Sequence, residues 1–470
     1  MTSPSLYWIR RDFRLSDNPA LTAAIEPGQP VIPVFIRDAS VDALGAAPKW
    51  RLGLGLDHLI ASFASHGVEI VLRSGEPIEV LTKLAQEVGA SEIHWNRLYD
   101  PESIARDSDI KTKFKSSPIK AQSHNGHLLF EPWTVDTKTG GFYRVYTPFW
   151  NSVKTRDIRA ALPKPNTLNS VSGVATETFA DWALGASMQR GAAIVRPFAR
   201  VGEDAALARL MDFIDTDVAS YVQRRDIPSV QGTSGLSENL ALGEISPYQC
   251  WHAGRVAIQE GKAEAETFLK EIVWREFAYH LMYHTPEILS GNWKPDWDAF
   301  PWNTDETHPH VIAWKQGRTG IPFVDAAMRQ MYATGTMHNR GRMIVASYLT
   351  KHLMTHWKIG QKWFEDCLID WDPASNAMGW QWSAGSGPDA TPYFRVFNPI
   401  TQLDKFDPQG GYARSWIAEL SSNPTSSALK YFEAIPKGWH LDANSDYPNP
   451  IMSPSEGRER ALAAYQNRGF

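Results

Sequence analysis

Leu6-Tyr-Trp-Ile9 and Val31-Ile-Pro-Val-Phe-Ile36 are short, unbroken apolar runs with an amphipathic stretch near residues 19–26 between them. Such runs read as strands buried on both faces, and a helix-period stretch joining two of them reads as a crossover. The pattern recurs in Glu69-Ile-Val-Leu72 and Glu92-Ile-His-Trp95, with helical stretches near 50–66 and 77–88. This alternation predicts a doubly wound α/β domain with a parallel sheet over residues 1–130. No GxGxxG follows the first run, so the ordinary dinucleotide fingerprint is missing.

Residues 131–203 are rich in Pro, Ser, Thr and Gly and read as a linker, anchored by Tyr143-Arg-Val-Tyr-Thr-Pro-Phe-Trp150. From 204 to 470 the apolar residues repeat at three and four, as in Phe268-Leu269-Ile272-Val273 and Ile344-Val345-Leu349-Leu353. That half is expected to be all-α. Most of the nineteen tryptophans fall after residue 250, which points to this half for stacking or electron transfer. Two cysteines, Cys250 and Cys367, form no CxxC pair, exclude a four-cysteine iron–sulfur cluster and fit a reducing cytoplasm. The opening Met-Thr-Ser-Pro-Ser runs directly into a strand pattern, and no apolar run approaches membrane-spanning length, so neither a signal peptide nor a membrane span is expected. A net charge of −5 means that any nucleic-acid binding must rest on a local basic patch.

Four segments concentrate chemistry. Gly335-Thr-Met-His-Asn339-Arg340-Gly-Arg342-Met343 brings together an amide, two guanidiniums and a thioether. Asp370-Trp-Asp372-Pro-Ala-Ser-Asn376-Ala-Met-Gly-Trp380-Gln-Trp382 supplies two carboxylates, an amide and indoles. Arg342 and Asp370 are a natural pair, and a buried carboxylate needs such hydrogen bonds. A structural salt bridge and a buried planar cofactor both fit. Thr233-Ser234-Gly235-Leu236-Ser237 suits either a phosphate or a plain helix cap with Glu238 as capping-box partner. Glu271, Trp274, Arg275 and Ala278 share a helix face. They suit either a nucleobase or an ion pair beside a core indole. His280/His284 and His352/His356 have zinc-pair spacing but lack the glutamate of HExxH, so no metal is expected.

Taken in order, Trp8-Ile-Arg10-Arg11-Asp12-Phe-Arg14, Thr233 to Ser237, Trp274-Arg-Glu-Phe277, Gly320 to Arg329, Met337-His-Asn-Arg340, Gly379-Trp-Gln-Trp382 and Tyr393-Phe-Arg395 resemble the photolyase/cryptochrome family over nearly the whole chain. The resemblance implies an α/β antenna domain, a linker and a helical domain holding FAD. It implies that Tyr221 and Thr233, Ser234, Gly235, Leu236 and Ser237 hold the FAD phosphates and ribose. It implies further FAD contacts from Phe268, Arg275, Asn339, Arg342, Asp370 and Asp372, with Asn376 against flavin N5. Trp380, Trp357 and Trp302 would form an electron-transfer chain, Trp302 nearest solvent.

Asn339, Met343 and Trp382 resemble the enzymes that split cyclobutane pyrimidine dimers in UV-damaged DNA. Glu271, Asn376 and Met343 would serve the reaction, while Trp274 and Trp382 would flank the lesion and Arg225, Arg340, Arg395 and Gln402 would meet the DNA. Ala278, Thr336 and Phe268 depart from common class I residues, in the direction of class III photolyases. The resemblance implies deoxyribodipyrimidine photo-lyase activity from fully reduced, anionic FAD, in a cytoplasmic monomer. The alternative is a cryptochrome-type blue-light receptor without repair activity. The antenna is expected to be methenyltetrahydrofolate, with deazaflavin as the other option. Glu102 or Ser103, with Arg10 and Arg51, are the candidate antenna contacts.

Overall fold

The computed structural model describes residues 3–26, 28–389 and 394–470. Strands β1 (Ser5–Ile9), β2 (Val31–Arg37), β3 (Val71–Ser74), β4 (Glu92–Asn96) and β5 (Lys120–His124) form one sheet in the order β3-β2-β1-β4-β5. Every pairing is parallel, and the winding reverses at β1, as a doubly wound domain requires. Helices α1 (Pro19–Ile25), α2 (Ala46–Ala64), α3 (Pro77–Val88) and α4 (Pro101–Lys115) are the crossovers. Their starts are written locally: Asn18 and Asp100 cap α1 and α4, each followed by a proline at the first helical position.

The sequence reading placed β3 two residues early and did not anticipate β5 or α4. Lys120–His124 has no apolar run and is only half-buried at the sheet edge. Its strand state comes from hydrogen bonding to β4, which a periodicity argument does not register.

After residue 124 the described chain has no further strand, only two isolated bridges. Helix α5 (Tyr146–Val153) interrupts the loop-rich segment that follows the sheet. The helical half is built from α6 (Glu203–Thr216), a short helix at Ser237–Leu242, α7 (Pro247–Gln259), α8 (Ala265–His284), α9 (Pro322–Thr334), α10 (Asn339–Ser347), α11 (Trp357–Cys367) and α12 (Pro373–Ala384). One hydrophobic core surrounds α7 and α8 and includes Phe149 and Trp150 of α5. A second surrounds α9 to α12.

The two halves are tied together by charge. Arg51 of α2 is completely buried and pairs with Glu238 at 2.8 Å and Glu244 at 2.5 Å. Its donors are thus spent on the helical half, and the expectation that it lines an antenna pocket is corrected. Gly243 stands at φ +70° with the Arg11 carbonyl pressed against it; a Cβ would lie 2.1 Å from that oxygen. Arg51→Met leaves two buried carboxylates without their cation. It is expected to cost about 3–5 kcal/mol in urea unfolding, the usual result of breaking a buried pair; a loss under about 1 kcal/mol, typical of a surface pair, would contradict the burial argument.

Candidate flavin site and lesion face

Asp372 caps α12. Its carboxylate accepts from the Ser375 amide at 2.9 Å, and Pro373 occupies the first helical position. Asp372 also accepts from the Tyr279 hydroxyl at 2.5 Å and from Arg11 at 3.2 Å. Burial favours its neutral form, but Arg11 first, then Arg275, the Tyr279 hydroxyl and the Ser375 N–H outweigh it. The carboxyl stays below its ordinary range. Asp370, 6 % exposed, accepts from Arg342 of α10 at 2.6 Å through Oδ2. Its Oδ1 is buried with no protein partner. The expected Arg342–Asp370 pair is therefore present, and it leaves one acceptor unmatched.

Helix α12 carries Asn376 and Trp380 one turn apart. The Asn376 Nδ2 donates to the Gln361 carbonyl of α11 at 3.1 Å. Trp380 is buried, with its indole N–H unpartnered. Its ring tip lies over Gly360, where a Cβ would come within 2.0 Å. Trp357, at the start of α11, is fully buried and donates to Asn292 at 2.8 Å. Reciprocal backbone bonds of Asn303 with Met354 and His356 draw Trp302 alongside. The His356 ring then touches Trp302 at 4.9 Å and Trp357 at 5.4 Å. Trp380, through Gly360, and Trp357 thus both meet α11, with Trp302 beside its start. Trp302 is only 9 % exposed and is stacked by Trp297 at 5.6 Å.

The hydroxyl-rich turn does not cap its helix. Leu236 is the cap residue, with no side-chain hydrogen bond. Glu238 turns inward to Arg51 and Arg209. Thr233, Ser234 and Ser237 thus keep hydroxyls that make no protein hydrogen bond among the described residues, and the capping-box reading is corrected. Gly235 takes φ +60°, and its carbonyl accepts from Arg209. Tyr221 is buried beneath Arg225, and burial pushes its hydroxyl up to about 12. Two expected cofactor contacts are placed differently. Phe268 is 1 % exposed, with its ring against Phe213 at 5.0 Å, so it supports the wall from behind. Arg275 spends its donors on His127 and Glu276 and acts on Asp372 through charge.

On the other side, Glu271 pairs with Arg225 at 2.5 Å. Trp274 is stacked face to face with Tyr146 of α5 at 3.6 Å and 7°. The sequence reading missed this partner, although Tyr146 sits in the stretch singled out as the linker's anchor. Asn339 is exposed at the first turn of α10, with half-buried Met343 one turn on, as their spacing predicted. Arg340 pairs with Asp226 at 2.7 Å and lies over Phe406. Trp382 borders a cavity of about 370 Å³ shared with Lys351, Phe394 and Arg395. Arg395 is exposed and lies over Phe397, and half-buried Gln402 is on the 399–406 helix. Tyr393 lies outside the described residues. Among the described residues no three His, Cys, Asp or Glu side chains are grouped for a metal, and no helix is long and apolar enough to cross a membrane.

The family profile described as DNA photolyase matches residues 5–166, and that of the FAD binding domain of DNA photolyase matches residues 268–467. The chain is 45 % identical over 470 residues to a deoxyribodipyrimidine photo-lyase from Agrobacterium fabrum, covering 99 % of this chain and 98 % of that one. This chain belongs to the DNA photolyase family. A class III photolyase from Agrobacterium tumefaciens superposes with a TM-score of 0.92 at 44 % identity, covering 100 % of this chain and 98 % of the other. An archaeal photolyase from Sulfolobus tokodaii, described with two FAD molecules, superposes with a TM-score of 0.81 at 28 % identity, covering 99 % and 100 %.

The residues present fit FAD. The unmatched Asp370 oxygen can accept from a ring N–H, and the uncommitted hydroxyls of Thr233, Ser234 and Ser237 suit phosphate oxygens. The glycine beneath Trp380 gives a test of whether the expected indoles carry electrons in this chain. Gly360→Ala should displace the ring and slow photoreduction of oxidised flavin severalfold, read by transient absorption, while flavin content stays near normal. Unchanged kinetics would mean that the electron takes another route.

Proposed function

We propose that the protein repairs cyclobutane pyrimidine dimers in DNA by light-driven electron transfer, as a class III-like photolyase. The observation that carries this reading is the buried Asp370 oxygen without a protein partner, within the part of the chain that matches the FAD binding domain of DNA photolyase. FAD, held there in its reduced form, would supply the excited-state electron for splitting the dimer. No general acid or nucleophile is needed. The chain's own task is to hold, orient and shield.

Arg342 pairs with Asp370, and Arg11 favours the charged form of Asp372; together they would fix both carboxyl groups against the cofactor. Asn376 presents an amide in place of an acid, so it offers no carboxyl proton at the flavin. Tyr221 and residues 233–237 hold the phosphates and ribose. Extruding the dimer costs a few kcal/mol, less than for an intact pair because the lesion is already poorly stacked. Trp274 and Trp382 return about 1–3 kcal/mol per stacked base. The Tyr146 ring already lies on one face of Trp274, which keeps that indole fixed. Glu271 and Asn339 hydrogen-bond the pyrimidines, with Met343 packing beside them. Arg225, Arg340, Arg395 and Gln402 meet the backbone. Trp380, Trp357 and Trp302 would carry electrons from solvent toward the cofactor.

The second chromophore is read as methenyltetrahydrofolate. Arg10 pairs with Asp107 at 2.7 Å, and Arg10 and Arg106 both lie over the Trp8 ring. They stand by the C-terminal end of β1, on the side of the sheet where a doubly wound domain takes up a nucleotide-like group. Two unpaired cysteines suit a reducing cytoplasm, where the protein works as a monomer.

The test is illumination of reduced protein with a dimer-containing oligonucleotide, following recovery of thymine absorbance. Recovery is expected; none, with normal FAD content, would leave the blue-light receptor reading. Trp274→Ala should weaken damaged-DNA binding by about 1–3 kcal/mol, the value of one base stack, with little effect on undamaged DNA. An equal loss on both would contradict the wedge. Affinity should fall as salt rises, because phosphate contacts release counterions.

A further inference from the structure

The Arg10-Arg11-Asp12-Phe-Arg14 motif follows β1 in the sheet domain; Arg10 and Asp12 bond within that domain, while Arg11, Arg14 and the Phe13 amide reach the other. Phe13 donates its amide to the Leu242 carbonyl at 3.2 Å, and Arg14 donates to the Gly243 carbonyl at 2.9 Å. Arg11 donates from Nε to the Ala241 carbonyl at 2.8 Å and from Nη2 to Asp372 at 3.2 Å. One guanidinium thus joins two segments, the end of the short helix that follows the Thr233–Ser237 turn and the first residue of the Asp372–Trp382 stretch. Both belong to the cofactor site, and neither belongs to the sheet.

Asp372 is buried, and Arg11, Arg275, the Tyr279 hydroxyl and the Ser375 N–H favour its charged form. Arg11 comes from the sheet domain; Tyr279 and Arg275 come from α8. His127 lies between these two, 2.9 Å from the Tyr279 hydroxyl and 2.8 Å from Arg275, and burial then Arg275 keep its pKa well below the ordinary value. Asp100 acts on Arg11 from beyond. Arg11 is the one cation among them that touches the carboxylate directly. A carboxylate left without it would be driven toward its neutral form by burial. The neutral acid would lose both the Arg11 contact and acceptor strength toward a cofactor N–H or O–H.

We propose that Arg11 is a positioning residue for the flavin: from the sheet domain it fixes Asp372 as an anion at the start of the helix that carries Asn376 and Trp380. This rests on the FAD reading of the site. It gives the sheet domain a part in holding the electron donor that is separate from any antenna role.

The experiment measures FAD retention of the full-length protein against pH, together with the Asp372 carboxylate infrared band, isolated as the difference between protein with and without Asp372→Asn. In the unsubstituted protein both are expected to stay flat near neutrality. In Arg11→Gln the acid form should appear as pH falls through roughly 5–8, the range burial opens to an unpaired carboxyl. Retention should weaken there by about tenfold or more, one charge-assisted hydrogen bond. Arg11→Lys keeps the charge but cannot serve Ala241 and Asp372 together, so its midpoint should fall between the other two. Arg11→Gln combined with Asp372→Asn should be flat again. Flat profiles in both Arg11 variants, or an equal pH effect with and without Asp372→Asn, would overturn the proposal. If Arg11→Gln does not fold, Arg11→Lys decides by the same criterion. If the unsubstituted protein holds no FAD, the FAD reading fails. The infrared band of the flavin-free protein then decides the coupling alone, by whether Arg11→Gln shifts its titration.

Discussion

Two carboxylates buried two residues apart, Asp370 and Asp372, impose the condition that the rest of the site meets. Each would cost several kcal/mol to bury alone. The chain answers with separate partners drawn from distant segments. Arg342 takes Asp370 from α10; Arg11 and Tyr279 take Asp372 from the sheet domain and α8. The helix start at Ser375 takes the remaining oxygen of Asp372. Satisfying two acids therefore draws sheet domain, α8, α10 and α12 to one point. The single acceptor left over is Asp370 Oδ1, within the residues that match the FAD binding domain of DNA photolyase.

Aromatic placement follows from the same helix. Because Asp372 caps α12, Asn376 and Trp380 take the next two turns of one face, and Gly360 gives Trp380 room against α11. Trp357 opens α11 and leads toward Trp302 past the His356 ring. Fixed charges at the helix start and fixed rings along it are thus one construction. Light-driven chemistry asks only that donor, path and acceptor hold still, so the absence of an acid–base or nucleophilic triad from this reading is consistent with the proposed reaction.

The sequence was most legible where local pattern sets structure. Apolar runs announced β1, β2 and β4, and α3 was read at 77–88 as found. The Arg342–Asp370 pair and the shared face of Asn339 and Met343 followed from chemistry and helical spacing. Legibility ended where a neighbour decides. Strand β5 exists because β4 pairs with it. The Thr233–Ser237 turn looked like a capping box until Glu238 proved to belong to Arg51. Phe268 looked like a cofactor wall but fills a core beside Phe213. The Tyr146 stack on Trp274 and the Arg11 contact to Asp372 join residues far apart in the chain, which no periodicity reports.

The most direct measurement is a crystal structure of the protein purified with its flavin. The account predicts a flavin ring N–H on Asp370 Oδ1, at about 2.7–3.2 Å, the ordinary hydrogen-bond range. A flavin seated elsewhere, or that oxygen satisfied by water or protein alone, would contradict it.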